Sequence, residues 1–459
     1  MLYLAIGGIY MKLNKLTTTL LALDSLSIYR GLLKDKVLSN LKALLVCLEK
    51  GDTTLRKVVN LYNDFYFQLA RSTTFSLNDY IVDKIVFDEN PFSLMLHAVQ
   101  NNDSEHVLAQ AVSNDLRGLQ LVAKLDPSML KAEISKLFEG KGDNLIIEGL
   151  PAWVLKSEPT SALDHIQRIK LRLTSCQHWE ECLEDLREFH LAYGSGIYAR
   201  YIAFVWEKTD GQGTLKGIDC PDAITLNELV DYQNIRSKVI ENTLQFMEGC
   251  PSNNVLLYGD RGTGKSSTVK AILNEYHSLG LRMLEVPKAY LADFPLIIRH
   301  LKHRNQKFIL FVDDLVFGDN EENFTSLKAV LDGGVECKTS NIVIYATSNR
   351  KHLVKEYFNE REGLQSGNHD EEIHAGDSMQ EKLSLADRFG ISVVFCSPDQ
   401  TQYLEIVDGI VANRHLEIDP ARLHLDALQW ALSYNGRSAR TARQFVDWLE
   451  GHEAVKDSQ

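Results

Sequence analysis

The chain has 459 residues, enough for about three domains at roughly 150 residues each. Its 44% hydrophobic content is enough to offset chain entropy and excludes disorder throughout, and only 28 Gly and 10 Pro exclude a collagen-like or low-complexity chain. With 49 basic against 62 acidic side chains, the net charge of −13 excludes a surface that tracks nucleic acid over its whole extent, though not a local basic groove.

Positions 1–10 (MLYLAIGGIY) are apolar, but no basic stretch precedes them and no clear small-residue cleavage site follows, so a secretory signal is not expected. Met11 opens MKLNK, which reads as an alternative translation start. No run of 18 apolar residues occurs, so no membrane span is expected and the chain is placed in the cytoplasm. The seven cysteines are scattered and odd in number, unlike a secreted disulfide framework. Cys176 and Cys182 bracket His178, yet no second ligand pair follows, and two Cys on a helix beside an exposed His is the simpler reading.

Positions 16 to about 200 predict mostly helix. Apolar residues recur at spacings of three and four over 32–48, 54–69, 105–125 and 161–190. Turn-prone breaks separate these stretches, and no fixed repeat supports a solenoid. Positions 209–217 (TDGQGTLKG) are polar and Gly-rich and predict a linker. Beyond it, strands are predicted at 254–258 (NVLLY), 281–286 (LRMLEV), 308–313 (FILFVD), 341–347 (NIVIYAT) and 391–395 (ISVVF). Helices are predicted between most of them, at 266–278, 288–303 and 321–331. Near-continuous apolar strands alternating with helices predict a parallel sheet covered on both faces. Three amphipathic helices at 399–413, 419–433 and 438–450 predict a helical lid. The division is a mostly α-helical N-terminal domain (1–208), a linker (209–223), an α/β core with a five-stranded parallel sheet (224–398), and the lid (399–459).

Gly259-Asp260-Arg261-Gly262-Thr263-Gly264-Lys265-Ser266 fits G-x-x-x-x-G-K-S/T, directly after a strand and opening a helix. Its glycines permit the torsions of a loop wrapped around an anion, and inward amides and the helix N-terminus favour phosphate. Lys265 supplies a point charge to the outer phosphates, and Ser266 a hydroxyl ligand for magnesium. The strand at 308–313 ends in Asp313, expected to hold magnesium through its water shell, and Asp314, expected to orient or deprotonate the attacking water. Asn349, closing the next strand, can hydrogen-bond that water and the γ-phosphate; a turn-forming Asn is the alternative.

GDRGTGKSS, including Ser267, resembles the Walker A motif of the AAA+ ATPases, FILFVDD Walker B, and YATSN sensor 1. LSLADRFG (383–390) resembles the box that carries an arginine finger, and GRSAR (436–440) the sensor 2 entry to a lid helix. With DDL, YATSNR, EKLSLADRFG, GRSARTARQF, DENPFS and YIAFVWE, nearly the whole chain resembles one bacterial AAA+ family, domain of unknown function 815. The resemblance implies ATP and Mg2+ as ligands of an ATP hydrolase. It implies that Arg388 points toward a neighbour's γ-phosphate, so that a homo-oligomer, a ring or at least a dimer, completes the site. The alternative for Arg388 is an ion pair within its own subunit. Arg440 would reach the same phosphates from the lid, with Arg437 and Arg443 close by.

Most AAA+ ATPases carry Asp-Glu where this chain has Asp313-Asp314. The second carboxylate is one methylene shorter and loses about 1.5 Å of reach. Glu321 and Glu322 are substitutes, separated from the strand by a turn. The segment at 224–243 resembles the AAA+ linker beside the adenine, with Tyr232 and Ile235 as candidates and ordinary helix packing as the simpler reading. Lys288-Ala289-Tyr290 stands where ring ATPases place an aromatic pore loop, and a helix start explains it more simply. Arg299, Lys302, His303, Arg304 and Lys307 form a basic run that a solvated helix end explains as well as nucleic acid does. Positions 359–377 read as an acidic insertion.

The expected function is ATP hydrolysis that drives subunit motion, with a protein partner recruited through the helical N-terminal region. The alternatives are a nucleotide-gated binding module with little turnover, motivated by Asp314, and a DNA-remodelling motor, suggested by the RFG box.

Overall fold

The computed structural model describes residues 3–6, 9–12, 15–72, 75–96, 102–139, 144–154, 163–316, 321–332, 339–349, 386–434 and 436–456. The expected insertion at 359–377, Arg350, Cys337 and Leu383–Leu385 lie outside the described residues, as do the side chains of Glu321 and Glu322. The chain divides into two compact units, Met1–Arg200 and Tyr201–Gln459.

The first unit opens with an antiparallel pair, β1 (Tyr3–Ile6) and β2 (Ile9–Lys12), and is otherwise helical. Its helices are α1 (Lys15–Asp24), α2 (Lys36–Lys50), α3 (Leu55–Ala70), α4 (Leu77–Phe87), α5 (Pro91–Met95), α6 (Asn102–Ala123), α7 (Pro127–Leu137), α8 (Asn144–Glu148), α9 (Asp164–Ser175), α10 (Leu183–Tyr193) and α11 (Gly196–Arg200). The spacing of apolar residues explains the pairing of α2 with α3. Leu38, Leu41, Leu44 and Leu45 lie on one buried stripe of α2, and Val58, Tyr62, Phe65 and Leu69 on one stripe of α3. Asp35 caps α2, accepting from Val37 N at 2.9 Å and Leu38 N at 3.3 Å, and Gly51 ends it at φ 67°. Buried Asp115 of α6 accepts the backbone N–H groups of Ser27, Ile28 and Tyr29 at 2.7–3.1 Å, which ties the turn after α1 to α6. No helix among the described residues is long and apolar enough to cross a membrane.

In the second unit a seven-stranded sheet replaces the five strands expected. Its strands are β3 (Ala203–Thr209), β4 (Gln212–Gly217), β5 (Val255–Gly259), β6 (Leu281–Glu285), β7 (Lys307–Val312), β8 (Ile342–Ser348) and β9 (Ile391–Phe395), in the order β4-β3-β6-β7-β8-β5-β9. The last five are the strands read from sequence, and all their mutual pairings are parallel. The extra two are an antiparallel hairpin, and β3 joins β6 in parallel. Thr209 to Gly217 is therefore strand and turn, not a linker, and 203–208 is strand, not part of a helical domain. Asp210 and Gly211, at φ 52° and 81°, form the two-residue loop between Thr209 and Gln212. Asp-Gly is favoured in such a turn because both positions need positive φ.

The sheet is flanked by α12 (Gln233–Met247), α13 (Lys265–Tyr276), α14 (Phe294–Leu301) and α15 (Glu321–Leu331). The expected helix at 288–303 is divided: Lys288–Asp293 is a 3-10 turn, and Pro295 sits in the first turn of α14. The basic run falls at the end of α14 and the start of β7, where Lys307 Nζ donates to Ser340 O at 2.9 Å. The lid is α16 (Gln400–Asn413), α17 (Pro420–Ser433) and α18 (Ala439–Lys456), with Asp399 and Asp419 capping the first two. Tyr403, Ile406, Val407, Ala427, Phe445 and Val446 form its own small core.

This strand order sets the site. β5 lies beside β8, β8 beside β7, and β7 beside β6. The segments leaving the carboxyl ends of all four therefore gather at one edge, where parallel sheets bind ligands.

Candidate nucleotide-binding site

Gly259, the last residue of β5, has φ 129°, and a Cβ there would stand 2.1 Å from the carbonyl oxygen of Phe395 on β9. Only glycine lets the chain turn there. Asp260 N donates to that same oxygen at 2.9 Å, and the Asp260 carboxylate accepts Ser397 N at 2.7 Å. The Ser397 hydrogen bonds hold the Asp260 carboxyl below its usual range. Gly262 (φ 75°) lies under the lid: a Cβ would come within 2.9 Å of Ser438 Oγ and 3.1 Å of Arg440 Cβ. Its carbonyl accepts Arg440 N at 3.0 Å, so the loop and the start of α18 are bonded directly. Gly264 (φ 91°) faces open space. Thr263 Oγ1 donates to Asp260 O at 2.9 Å, and Thr268 Oγ1 to Gly264 O at 2.9 Å. These bonds fix the loop without using its ligand-facing amides.

Lys265 is buried, and its Nζ donates to Gly259 O at 3.0 Å and Asp260 O at 2.6 Å. Burial pulls its pKa down, Asp260, Asp313 and Asp314 oppose this, and Arg440 adds to it. The end of β7 meets the first turn of α13. Asp313 Oδ1 accepts Ser266 Oγ at 2.5 Å, Thr347 Oγ1 at 2.6 Å and Asp314 N at 3.1 Å. Asp313 Oδ2 has no hydrogen-bond partner among the described residues. A hydroxyl and an open carboxylate oxygen at one point form a hard oxygen donor set that suits magnesium.

Asp314 has φ 51°, an uncommon conformation for a side chain with a Cβ. Its N–H donates to Thr347 Oγ1 at 2.8 Å. Its Oδ1 accepts Asn349 Nδ2 at 2.7 Å, and its Oδ2 pairs with Lys288 Nζ at 3.0 Å. Asp314 and Asn349, assigned to one chemical task from sequence, are thus in direct contact.

A cavity of about 500 Å³ opens over these groups. Arg261, Gly262, Thr263, Gly264, Lys265, Ser266, Ser267, Asp313, Asp314, Asn349 and Arg440 all line it. Gly259 and Asp260 shape the loop from beneath. The far end is apolar, with Ile224, Leu229 and Val230 before α12 facing Ile406 and Ile410 of the lid. Lid and linker pack closely there: a Cβ on Gly409 would meet Val230 at 2.5 Å. Arg443 Nη2 and Glu228 Oε2, 3.5 Å apart, bridge the rim.

One pair of candidates falls outside the cavity. Tyr232 and Ile235 do not line the cavity. The left-handed pair Asp231-Tyr232 (φ 65° and 57°) turns the tyrosine to β9, where its hydroxyl donates to Cys396 O at 2.5 Å and its ring lies 5.2 Å from that of Phe395, tilted by 39°. Ile224, Leu229, Val230 and Arg236 take the wall instead. Arg388 lies outside its own cavity and pairs with Asp332, the intrasubunit alternative, and its Nε is buried with no partner among the described residues. Sequence reasoning also missed Lys288 and the Thr347 hydroxyl. Thr347 stood inside a motif, and Lys288 was singled out only within a pore-loop reading that gave no link to Asp314.

A glycine-rich loop with a buried lysine, two carboxylates at the end of the adjacent strand and an amide at the end of the next lie together beneath a helical lid, the arrangement of a P-loop site. Residues 199–453, over half of the chain, match the family described as protein of unknown function (DUF815), and the chain belongs to that family. Among solved structures, it is similar to a point mutant of RuvB from Thermotoga maritima, with 18% identity and a TM-score of 0.36 over 51% of this chain and 67% of that one. It is also similar to the Thermotoga maritima RuvB Holliday junction branch migration motor, with 15% identity and a TM-score of 0.30 over 49% of this chain and 72% of that one. No curated protein matches the chain.

Proposed function

We propose that the chain binds ATP with magnesium and hydrolyses it, and that turnover drives conformational change in a homo-oligomer. The observation that carries this reading is the 2.5 Å contact between Ser266 and Asp313 inside the cavity, with Asp314 and Asn349 beside it. Lys265 and the loop amides would take the β- and γ-phosphates. Ser266 and Asp313 would hold magnesium, which when bound neutralises charge on the phosphate oxygens. Asp314 would orient the attacking water and accept its proton, and Asn349 would hold both Asp314 and the γ-phosphate. The apolar end would receive the base, and Arg440 would link phosphate occupancy to lid angle. Arg388 would leave Asp332 and reach a neighbour's phosphate.

The test is calorimetric titration of ATP-Mg together with steady-state phosphate release. Micromolar binding, lost in Lys265→Ala, with turnover lost in Asp314→Asn, supports it. No uptake at millimolar nucleotide overturns it. A second reading, a nucleotide-gated module with little turnover, is favoured by the short Asp314 side chain, both of whose oxygens are engaged. Tight binding with no phosphate release in the assembled state would select that reading.

A further inference from the structure

We propose that the β3–β4 hairpin sets the position of the Asp314 carboxylate through Asp293 and Lys288, which makes Trp206, Lys208 and Asp293 positioning residues for ATP turnover. This inference rests on the hydrolysis reading above. The hairpin lies at the edge of the sheet, two strands away from β7, and none of Trp206, Lys208, Asp293 and Lys288 lines the cavity. Two sets of contacts, one at each end of a single backbone turn, nevertheless connect the hairpin to Asp314.

Trp206 and Lys208 are two residues apart on β3, so both project from the same face. Trp206 Nε1 donates to Asp293 Oδ2 at 2.9 Å, and Lys208 Nζ pairs with Asp293 Oδ1 at 2.8 Å. One strand thus holds both oxygens of one carboxylate. The Asp293 side chain is only 14% exposed, so its pair with Lys208 is less screened than an open surface bridge. Lys208 also lies 5.6 Å from the centre of the Tyr290 ring. The indole can reach Asp293 because position 213 on β4 is glycine: a Cβ there would stand 2.0 Å from the Trp206 ring.

Asp293 ends the six-residue 3-10 turn that Lys288 begins. Lys288 spans to Asp314 Oδ2 at 3.0 Å. The ladder between β3 and β6 runs through Phe204 with Leu284 and Val205 with Glu285, so the hairpin also grips the strand from which the turn leaves. Asp314 is short and sits in a left-handed conformation, so its useful orientation depends on what holds its oxygens. Asn349 holds one and Lys288 the other. A shift of the hairpin would move Lys288 and rotate the carboxylate that faces the attacking water, leaving the phosphate loop untouched.

The test is a double-mutant cycle in the full chain, reading kcat and KM for ATP by phosphate release. Asp293→Asn is expected to lower kcat about tenfold with KM within about twofold, because misplacement of a reacting group by fractions of an ångström acts on the chemical step. Lys208→Met, a half-exposed change that leaves the indole bond in place, is expected to lower kcat about threefold in the same way. In a Lys288→Met background, Asp293→Asn is expected to have no further effect. The inference is overturned if the Asp293 and Lys288 losses multiply, if kcat is unchanged in both Asp293→Asn and Lys208→Met, or if kcat rises. Wild-type protein that releases no phosphate would overturn the hydrolysis reading itself; turnover that ignores Asp293 and Lys208 would remove the hairpin relay alone.

Discussion

At Gly259 the approach of Phe395 leaves no space for one more carbon, whereas Gly264 has space and needs only its torsion. The two glycines of one motif therefore separate experimentally. Gly259→Ala is expected to destabilise the second unit by about 3 kcal/mol or more and to abolish nucleotide binding, since backbone must move. Gly264→Ala is expected to cost about 1–2 kcal/mol, the strain of a left-handed residue with a Cβ. Thermal melting with and without nucleotide reads both, and equal losses would contradict this account. For the carboxylates, Asp314→Asn is expected to bind ATP with unchanged affinity and to lose about 100-fold in phosphate release, the usual weight of one general base. The phosphate loop, Asp313 and Asn349 were legible in the sequence because each lies in or beside a contiguous signature whose spacing is fixed by a strand end. Lys288 was not legible: its partner is 26 residues away, and only the adjacency of β6 and β7 brings the two together. Arg236 was hidden for a related reason, since its burial on the cavity wall follows from the left-handed turn ahead of α12.

Among the elements, the five core strands and the three lid helices were readable from apolar runs and caps, whereas the hairpin was misread. Gly211, Gly213 and Gly217 made the stretch look like a flexible spacer. Two of them have a different physical role: a Cβ at 213 would clash with Trp206, and one at 217 with Tyr201, so glycine is what lets aromatic rings cross β4. The Asp-Gly turn was the signal to weigh instead. In the helical unit, α10 carries a testable pH dependence. His190 is fully buried, its Nδ1 lies 3.0 Å from Gly194 O, and its Nε2 has no partner. Burial pulls its pKa from 6.5 to about 4, and the Gly194 carbonyl opposes this. The unfolded chain therefore takes up the proton first. The stability contribution is complete above about pH 6.5 and falls as the pH drops toward 4, a loss of about 2 kcal/mol between pH 7 and pH 5. Urea unfolding at the two pH values is expected to show that difference in the wild type and not in His190→Gln.

For the whole molecule, the proposed role of Arg388 bears on whether one chain could complete the hydrolytic site by itself. In the described structure it pairs with Asp332 and contributes nothing to its own cavity. If it acts on a neighbour, phosphate release per subunit rises with protein concentration in the wild type and stays low and flat in Arg388→Ala. Activity independent of concentration and intact in that variant would remove the trans role. The sequence was informative about the class of the molecule and silent about this choice, because a guanidinium before a strand reads the same whether its carboxylate is in the same chain or its phosphate is in the next.

The resting posture of Lys265 has a consequence for ion selection. Its ammonium donates to two carbonyl oxygens of its own loop, which partly offset its charge. A lone orthophosphate or sulfate must outcompete that internal arrangement with a single anionic group. In the proposed binding mode a triphosphate chain would meet the amides, the ammonium and the hydroxyl of Ser266 together, so orthophosphate is expected to compete weakly with ATP in the same titration.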